Sequence, residues 1–296
     1  MNEADFLALL RPLATHPAAR GLADDAAVLG DLVFTHDMLV EGVHYLPDDP
    51  PEDVAWKLLA VNLSDLAAKG ATPVGVLIGY TLGGDAAWDR AFVAGLHHAL
   101  THFDTALLGG DTVSNPAAPR VLSLTAIGRS AVAPPRSGAQ AGDALYVTGT
   151  IGMAGLGLAE LRLAELHRSP PGIGANVAKY RRPVPRLGEG KILAPIVHAM
   201  MDVSDGLLID AQRMAAASNL SLEIAIHHVP VAGDPMAALT AGDDYELLFA
   251  APPEITLPVP ATRIGTFTTG TGLTLRDADG AVPLPDRLGW LHRTHG

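Results

Sequence analysis

Apolar residues repeat with a period of two in some stretches of this chain and about 3.6 in others, and the two patterns alternate along it. Such alternation limits the chain to layered architectures in which helices cover sheets. Residues 3–14 read as a helix, with Phe6, Leu9, Leu10 and Leu13 on one stripe. Strand-like runs at 26–29 and 32–35 hinge on Gly30 and Asp31. A strong helix starts at Pro51, carries Glu52 and Asp53 in its first turn and stops at Gly70. Pro73–Leu82 is strand-like, and Asp85 caps a further helix that leads into strands at 106–108 and 121–128. Residues 130–143, rich in Pro, Ala, Ser and Gly, are the best candidate for a domain boundary. Beyond them the pattern predicts a strand at 144–147, helices at 154–166 and 187–198, a strand at 200–204 and a helix from about Gly206. The end is β-rich, with strands at 220–226, 245–250 and 263–267 and a hairpin turning on residues 277–280. A chain of 296 residues has room for two such domains, and the expected division is 1–135 and 136–296.

Charge narrows the partners. With 20 Lys+Arg against 32 Asp+Glu the net charge is −12, which excludes the basic field wanted for nonspecific nucleic-acid or anionic-membrane binding. Aspartate makes up 23 of those acids, and its short side chain suits caps and rigid metal sites. No cysteine occurs, so disulfides, thiolate zinc sites and cysteine nucleophiles drop out. No apolar run approaches the roughly 18 residues of a membrane helix, and the N-terminus lacks the basic start of a signal peptide. Cytoplasmic is the expectation.

Neither standard phosphate loop is present. The Gly-Lys pair at 190–191 is followed by Ile192, and no G-x-G-x-x-G follows a strand. A nucleotide here would need metal ions held by carboxylates. Five acidic clusters meet that need: "LADDAAVL", "FTHDMLVEGVH", "AVNLSDLAAKGA", "LLGGDT" and "MMDVSDGLLID". On the long helix, Asn62, Asp65 and Lys69 share an arc of about 60° on a surface otherwise apolar nearly all round. In the last cluster, period two puts Asp202 and Ser204 on one strand face, with Asp205 at the corner into a helix.

Each cluster also has a plain structural reading. Asp53 and Asp85 read as first-turn and capping acids, Asp65 as an i,i+4 partner of Lys69, and Asp205 as an N-cap. Asp210, roughly 140° around the helix from Asp205, reads as solvated. His97 and His98 read as ordinary surface residues.

The joint pattern resembles a known family. "DDAAVL", "DMLVEGVHYLPDD", "AVNLSDLAAKGATP", "LLGGDT", "RSGAQAGDALYVTGTIGMAGLGL", "RRPVPRLGEG", "DVSDGLLID" and "GDDYELLF" occur in the order found in the thiamine-monophosphate kinase family. That family belongs to a superfamily with aminoimidazole ribonucleotide synthetase and selenophosphate synthetase. The resemblance implies ATP-dependent phosphorylation of thiamine phosphate to thiamine diphosphate, with Mg²⁺. It implies an α+β fold of two α/β domains of the aminoimidazole ribonucleotide synthetase type. The N-terminal domain (1–135) would bind ATP and Mg²⁺ and dimerise through a sheet that forms a barrel across a homodimer. The C-terminal domain (136–296) would complete the active site.

Carried over by position, Asp25, Asp37, Asp65, Asp111, Asp202 and Asp205 resemble the metal ligands, and Thr35 and His36 stand at positions that also meet metal or nucleotide. Thr35, Gly110, Asp111, Arg136 and Ser204 match ATP-contacting positions; His44, Asp243 and Trp290 match those that contact thiamine phosphate. No general base is implied, because the acceptor phosphate oxygen is already anionic; Asp37, Asp111 and Asp205 would act electrostatically. Four residues depart from the family's usual pattern: Ala23 replaces Gly, His36 replaces Thr or Ser, Ala241 replaces Gly, and Asp243 replaces Glu. Two other readings stay open. One is a related superfamily enzyme that activates an amide oxygen with ATP; the other is a non-catalytic module that binds nucleotide or divalent cation.

Overall fold

The computed structural model describes residues 3–168 and 174–291. Helix α1 (Glu3–Leu10) leads into a first sheet built from β1 (Ala27–Leu29), β2 (Leu32–Val40), β3 (Thr72–Leu82), β4 (Ala106–Ser114) and β5 (Val121–Arg129), in the order β1-β2-β5-β3-β4. Strands β3 and β4 run parallel; the other neighbours are antiparallel. Two helices belong to this half, α2 (Pro51–Ala68) and α3 (Ala86–His102). The second half begins with β6 (Ala144–Val147), α4 (Met153–Leu166), α5 (Ala175–Arg181), α6 (Leu187–Leu193), β7 (Ala199–Asp202) and α7 (Leu207–Ala217). It ends with β8 (Leu220–Ala225), α8 (Pro235–Thr240), β9 (Leu247–Ala251), β10 (Thr262–Thr269), β11 (Gly272–Arg276) and β12 (Ala281–Val282). Its sheet has the order β12-β11-β8-β10-β6-β9-β7.

Helix α2 is the central element. From Val54 to Ala68 every residue except Asp65 is buried, as expected of a helix that is apolar on all sides. Leu58, Leu59, Leu63 and Leu66 share a core with Leu122 and Leu124 of β5, the inward half of that strand's alternation. Ala67 and Ala68 instead pack with Tyr146, Met200 and Phe249 of the second sheet. A helix wedged between two sheets cannot send its polar side chains to water, so they need partners inside.

Several boundaries differ from the expectations. The N-terminal helix ends at Leu10 and tightens into a 3₁₀ turn over Arg11–Leu13, with Phe6, Leu9 and Leu13 exposed. Strand β2 extends to Val40, because β5 pairs with it to Val121; Asp37 therefore lies inside a strand rather than after one. Strand β4 continues through Ser114 and is exposed along its length, because it is the sheet's edge; Asp111 does not follow a buried strand. Helix α6 stops at Leu193, short of the expected 198, and α5 and α8 were not foreseen. Among the described residues no helix is long and apolar enough to cross a membrane.

Candidate active site

The polar stripe of α2 fans out to both halves. Asn62, fully buried, accepts from the Asp37 backbone N–H at 3.0 Å and donates to its own helix at Leu58 O. Ser64 donates to Asp202 Oδ2 at 2.5 Å, tying the first domain's helix to the end of β7. Asp65 receives the hydroxyl of Thr35 on β2. Lys69 does not form the expected i,i+4 pair with Asp65. The helix ends at Ala68, so the Lys69 side chain turns away and lies 2.5 Å from Asp24 Oδ1 and 2.7 Å from Asp25 Oδ2. It also donates to Pro134 O and Met200 O.

Three carboxylates converge: Asp25, Asp65 and Asp202 each place one oxygen within 4.8 Å of the others. Two such charges about 5 Å apart at an effective dielectric of about 20 repel by roughly 3 kcal/mol. The protein relieves this unevenly. Burial alone would raise Asp25, but Arg136 and Lys69 outweigh it and hold Asp25 below the usual carboxylate range. Burial, followed by repulsion from Asp37, Asp202 and Asp25, pushes Asp65 well above its ordinary value. Burial and then the charge of Asp25 do the same to Asp202. Asp37 rises to about 6, through burial first and then Asp205 and Asp25. Among the described residues no basic side chain pairs with Asp65 or Asp202. Carboxylate oxygens this close together, only one of them (Asp25) with an internal counter-ion, are a donor set that suits a hard divalent cation.

The segment after β7 is built around Asp210, and here the sequence reading was wrong. Asp210 is fully buried rather than solvated. Its Oδ2 accepts from the backbone N–H groups of Ser204, Asp205 and Gly206 at 3.0–3.2 Å, and its Oδ1 accepts from Arg213 at 2.9 Å. Helical spacing measured from Asp205 misjudged it, because the chain at 203–206 curls back over the first turn of α7. Arg213 also reaches Asp205 at 2.5 Å, so one guanidinium joins both acids. Burial first, then Asp205, lifts Asp210 to about 7.

Two further candidates meet this loop through their backbones. Trp290 donates its N–H to Asp205 O at 2.8 Å, and Asp243 donates its own to Ser204 O at 2.8 Å. Gly242 permits the second approach, since a Cβ there would stand 2.5 Å from Ser204 O. Asp202, Ser204, Asp205, Asp243 and Trp290, spread over 89 positions of sequence, thus form one connected wall. On the far side, His44 Nδ1 accepts from the Val40 N–H at 3.0 Å, which leaves Nε2 to carry the proton of the neutral ring. Lys57, a residue sequence reasoning passed over, donates to both His44 O and Asp243 Oδ2. The available signal was a lysine set in an apolar helical run; Ser64 and Arg213 carried no such signal.

Other sequence candidates stand apart from this wall. Arg136, read as a phosphate ligand, is paired with Asp25. His36 is exposed, and its ring meets Thr125 Oγ1 at 2.8 Å, on the sheet face opposite the buried Thr35 and Ala126. Gly110 and Asp111 lie on β4, three strands from Asp37 on β2, or about 14 Å at normal strand spacing. Gly110 has no room for a side chain, since a Cβ would come within 2.0 Å of Ile78 O.

Comparison with known proteins gives a consistent result. Residues 23–130 match the family model of AIR synthase related protein, N-terminal domain, and residues 140–278 match that of the C-terminal domain. The chain is 38% identical to the thiamine-monophosphate kinase of Caulobacter vibrioides, over 98% of this chain and 91% of the relative. It is 36% identical to that of Escherichia coli strain K12, over 78% of this chain and 76% of the relative. A solved structure described as AaThiL complexed with AMPPCP and TMP superposes with a TM-score of 0.88 at 28% identity, covering 99% of this chain and 97% of that one. The thiamine monophosphate kinase of Aquifex aeolicus superposes at 0.82, with 28% identity, covering 95% of this chain and 99% of that one.

Proposed function

The chain belongs to the thiamine-monophosphate kinase family, and on that premise we propose that it transfers the γ-phosphoryl group of ATP to thiamine phosphate, giving ADP and thiamine diphosphate. The observation that carries this reading is the wall itself. Asp205, which matches a family metal position, and its neighbour Ser204 accept backbone hydrogen bonds from Trp290 and Asp243, which match substrate positions. Donor and acceptor phosphates would therefore meet across a single rigid frame, and positioning supplies much of the rate in phosphoryl transfer.

Asp25, Asp37, Asp65, Asp202 and Asp205, with Thr35 and the backbone at His36, would hold Mg²⁺, and Asp111 would do so from the ATP side. When bound, those ions would neutralise the charge of two anionic substrates brought together. The chain's own residues then have limited tasks. Lys69 keeps Asp25 ionised and in place, Ser64 and Thr35 orient Asp202 and Asp65, and Asp210 fixes the turn that carries Ser204 and Asp205. Arg136 and Gly110 would face the nucleotide. His44, Asp243 and Trp290 would face thiamine phosphate, the aromatic ring suiting a cationic thiazolium. No side chain needs to remove a proton.

In the same reading, residues 1–135 supply the metal- and nucleotide-binding half and residues 136–296 complete the site, in the cytoplasm. The apolar Met38, Leu77, Leu107 and Leu108 of the first sheet, each 41–52% exposed, would be covered by a second copy in a homodimer. Light scattering of the purified protein tests the dimer. An ADP-release assay with thiamine phosphate, thiamine and no acceptor tests the function. ADP should form at a substantial rate with thiamine phosphate alone; equal release with all three would contradict the reading.

A further inference from the structure

Lys57 lies in the apolar middle of α2, and its side chain is 2% exposed. Its ammonium has three donors, and each meets a partner. One is directed to His44 O at 3.0 Å and one to Asp243 Oδ2 at 2.8 Å; the third side faces the ring of Tyr180, 3.9 Å from the centroid. His44 follows β2 in the first half of the chain, Asp243 precedes β9 in the second, and Tyr180 belongs to α5. A single buried cation therefore gathers three separate elements. Nothing on Lys57 is left to bind a ligand, so it cannot touch a substrate directly.

Asp243 is the group that this clamp controls. Its backbone is left-handed, at φ +67°, an uncommon conformation for a residue other than glycine. Its Oδ1 accepts from Tyr245 Oη at 3.0 Å while Oδ2 takes Lys57, leaving a side chain 30% exposed with both oxygens fixed. A short carboxylate that must reach a ligand from a strained loop depends on such anchoring. Without the cation, Asp243 would turn toward water and the His44 carbonyl would lose its donor.

We propose that Lys57 is a positioning residue for the acceptor substrate, setting the spacing between His44 and Asp243 so that both meet the phosphorylated, cationic acceptor. This rests on the kinase reading above and adds to it a residue that acts only through others. Two consequences distinguish it from plain structural support. Its loss should weaken the acceptor and not ATP, because the three contacts of the ammonium, with His44, Asp243 and Tyr180, include no residue at an ATP-contacting position. Its effect should also vanish once Asp243 has lost its charge.

The test is steady-state kinetics on wild-type protein, Lys57→Met, Asp243→Asn and the double variant, with ADP release as readout. Lys57→Met should raise KM for thiamine phosphate at least tenfold and leave KM for ATP within twofold. The double variant should be no worse than the weaker single one, as expected for residues acting as a unit. Should Lys57→Met fold poorly, Lys57→Arg carries the same test: it keeps the charge but cannot reproduce a point ammonium, so KM for thiamine phosphate should again rise alone. An unchanged KM for thiamine phosphate, equal rises for both substrates, or fully additive effects would overturn the role of Lys57 while leaving the kinase reading intact. Absence of thiamine phosphate turnover in the wild-type protein would overturn both.

Discussion

Lys69 Nζ lies 2.7 Å from Asp25 Oδ2, with both side chains almost wholly buried, so the convergent acid triad is neutralised from one side only. Asp25 is held ionised by that cation and by Arg136, whereas Asp65 and Asp202 have no such partner.

Removing the ammonium should therefore be costly. Lys69→Met leaves Asp24 and Asp25 buried with less compensation, and breaking a buried pair costs about 3–5 kcal/mol. A melting temperature at least about 6 °C lower is expected, at roughly 2–4 °C per kcal/mol for a chain of this size. Added Mg²⁺ should restore part of the loss. Thermal melts with and without Mg²⁺ check both statements, and an unchanged melting temperature would refute them.

The raised carboxylates predict a pH-dependent metal affinity. An acid whose folded pKa lies above its unfolded value favours the fold below about pH 4, and that advantage is lost as pH rises through the folded pKa, about 6 for Asp37. Mg²⁺ needs the ionised form, so binding below that pH must expel protons. Affinity should strengthen by up to about tenfold per pH unit for each displaced proton as pH rises toward about 6, where Asp37 ionises. Calorimetry in two buffers of different ionisation enthalpy should detect more proton release at pH 5.5 than at pH 8. Equal affinity at both pH values would contradict the assignment of these carboxylates.

Asp210→Ala should behave like a core defect. It strands three backbone N–H groups and leaves Arg213 with Asp205 alone, and each backbone group left unsatisfied costs about 1–3 kcal/mol. Both stability and turnover should fall, since Ser204 and Asp205 lose their frame. A variant with wild-type melting and kinetics would show that the loop is held by other means.

His36→Ala, in contrast, should keep turnover within about tenfold, or roughly 1.4 kcal/mol of barrier. Its imidazole faces away from Thr35 and toward Thr125. A loss of several hundredfold in excess Mg²⁺ would assign the ring a direct role.

How far the sequence was legible varies from residue to residue. Alternation along 121–128 and the all-round apolar 51–70 gave β5 and α2 nearly to the residue, because burial on a sheet or between sheets leaves a strong period. Strand ends were less visible: β2 and β4 continue past their apolar runs because pairing with neighbouring strands, not side-chain pattern, holds Asp37 and Asp111 in extended backbone. The polar stripe of Asn62, Asp65 and Lys69 was readable as a stripe. Its partners were not, since Asp24, Asp25, Asp37 and Met200 are brought to it only by the packing of two sheets. Asp210 failed for a local reason, a non-helical turn at 203–206 that no periodicity describes.

The most direct test follows the transferred group. With ATP labelled in its γ-phosphate and unlabelled thiamine phosphate, the label should appear in thiamine diphosphate, in amounts equal to the ADP formed. Label released instead as inorganic phosphate, with no thiamine diphosphate formed, would contradict direct phosphoryl transfer and place the chain among enzymes that use ATP to activate a different acceptor.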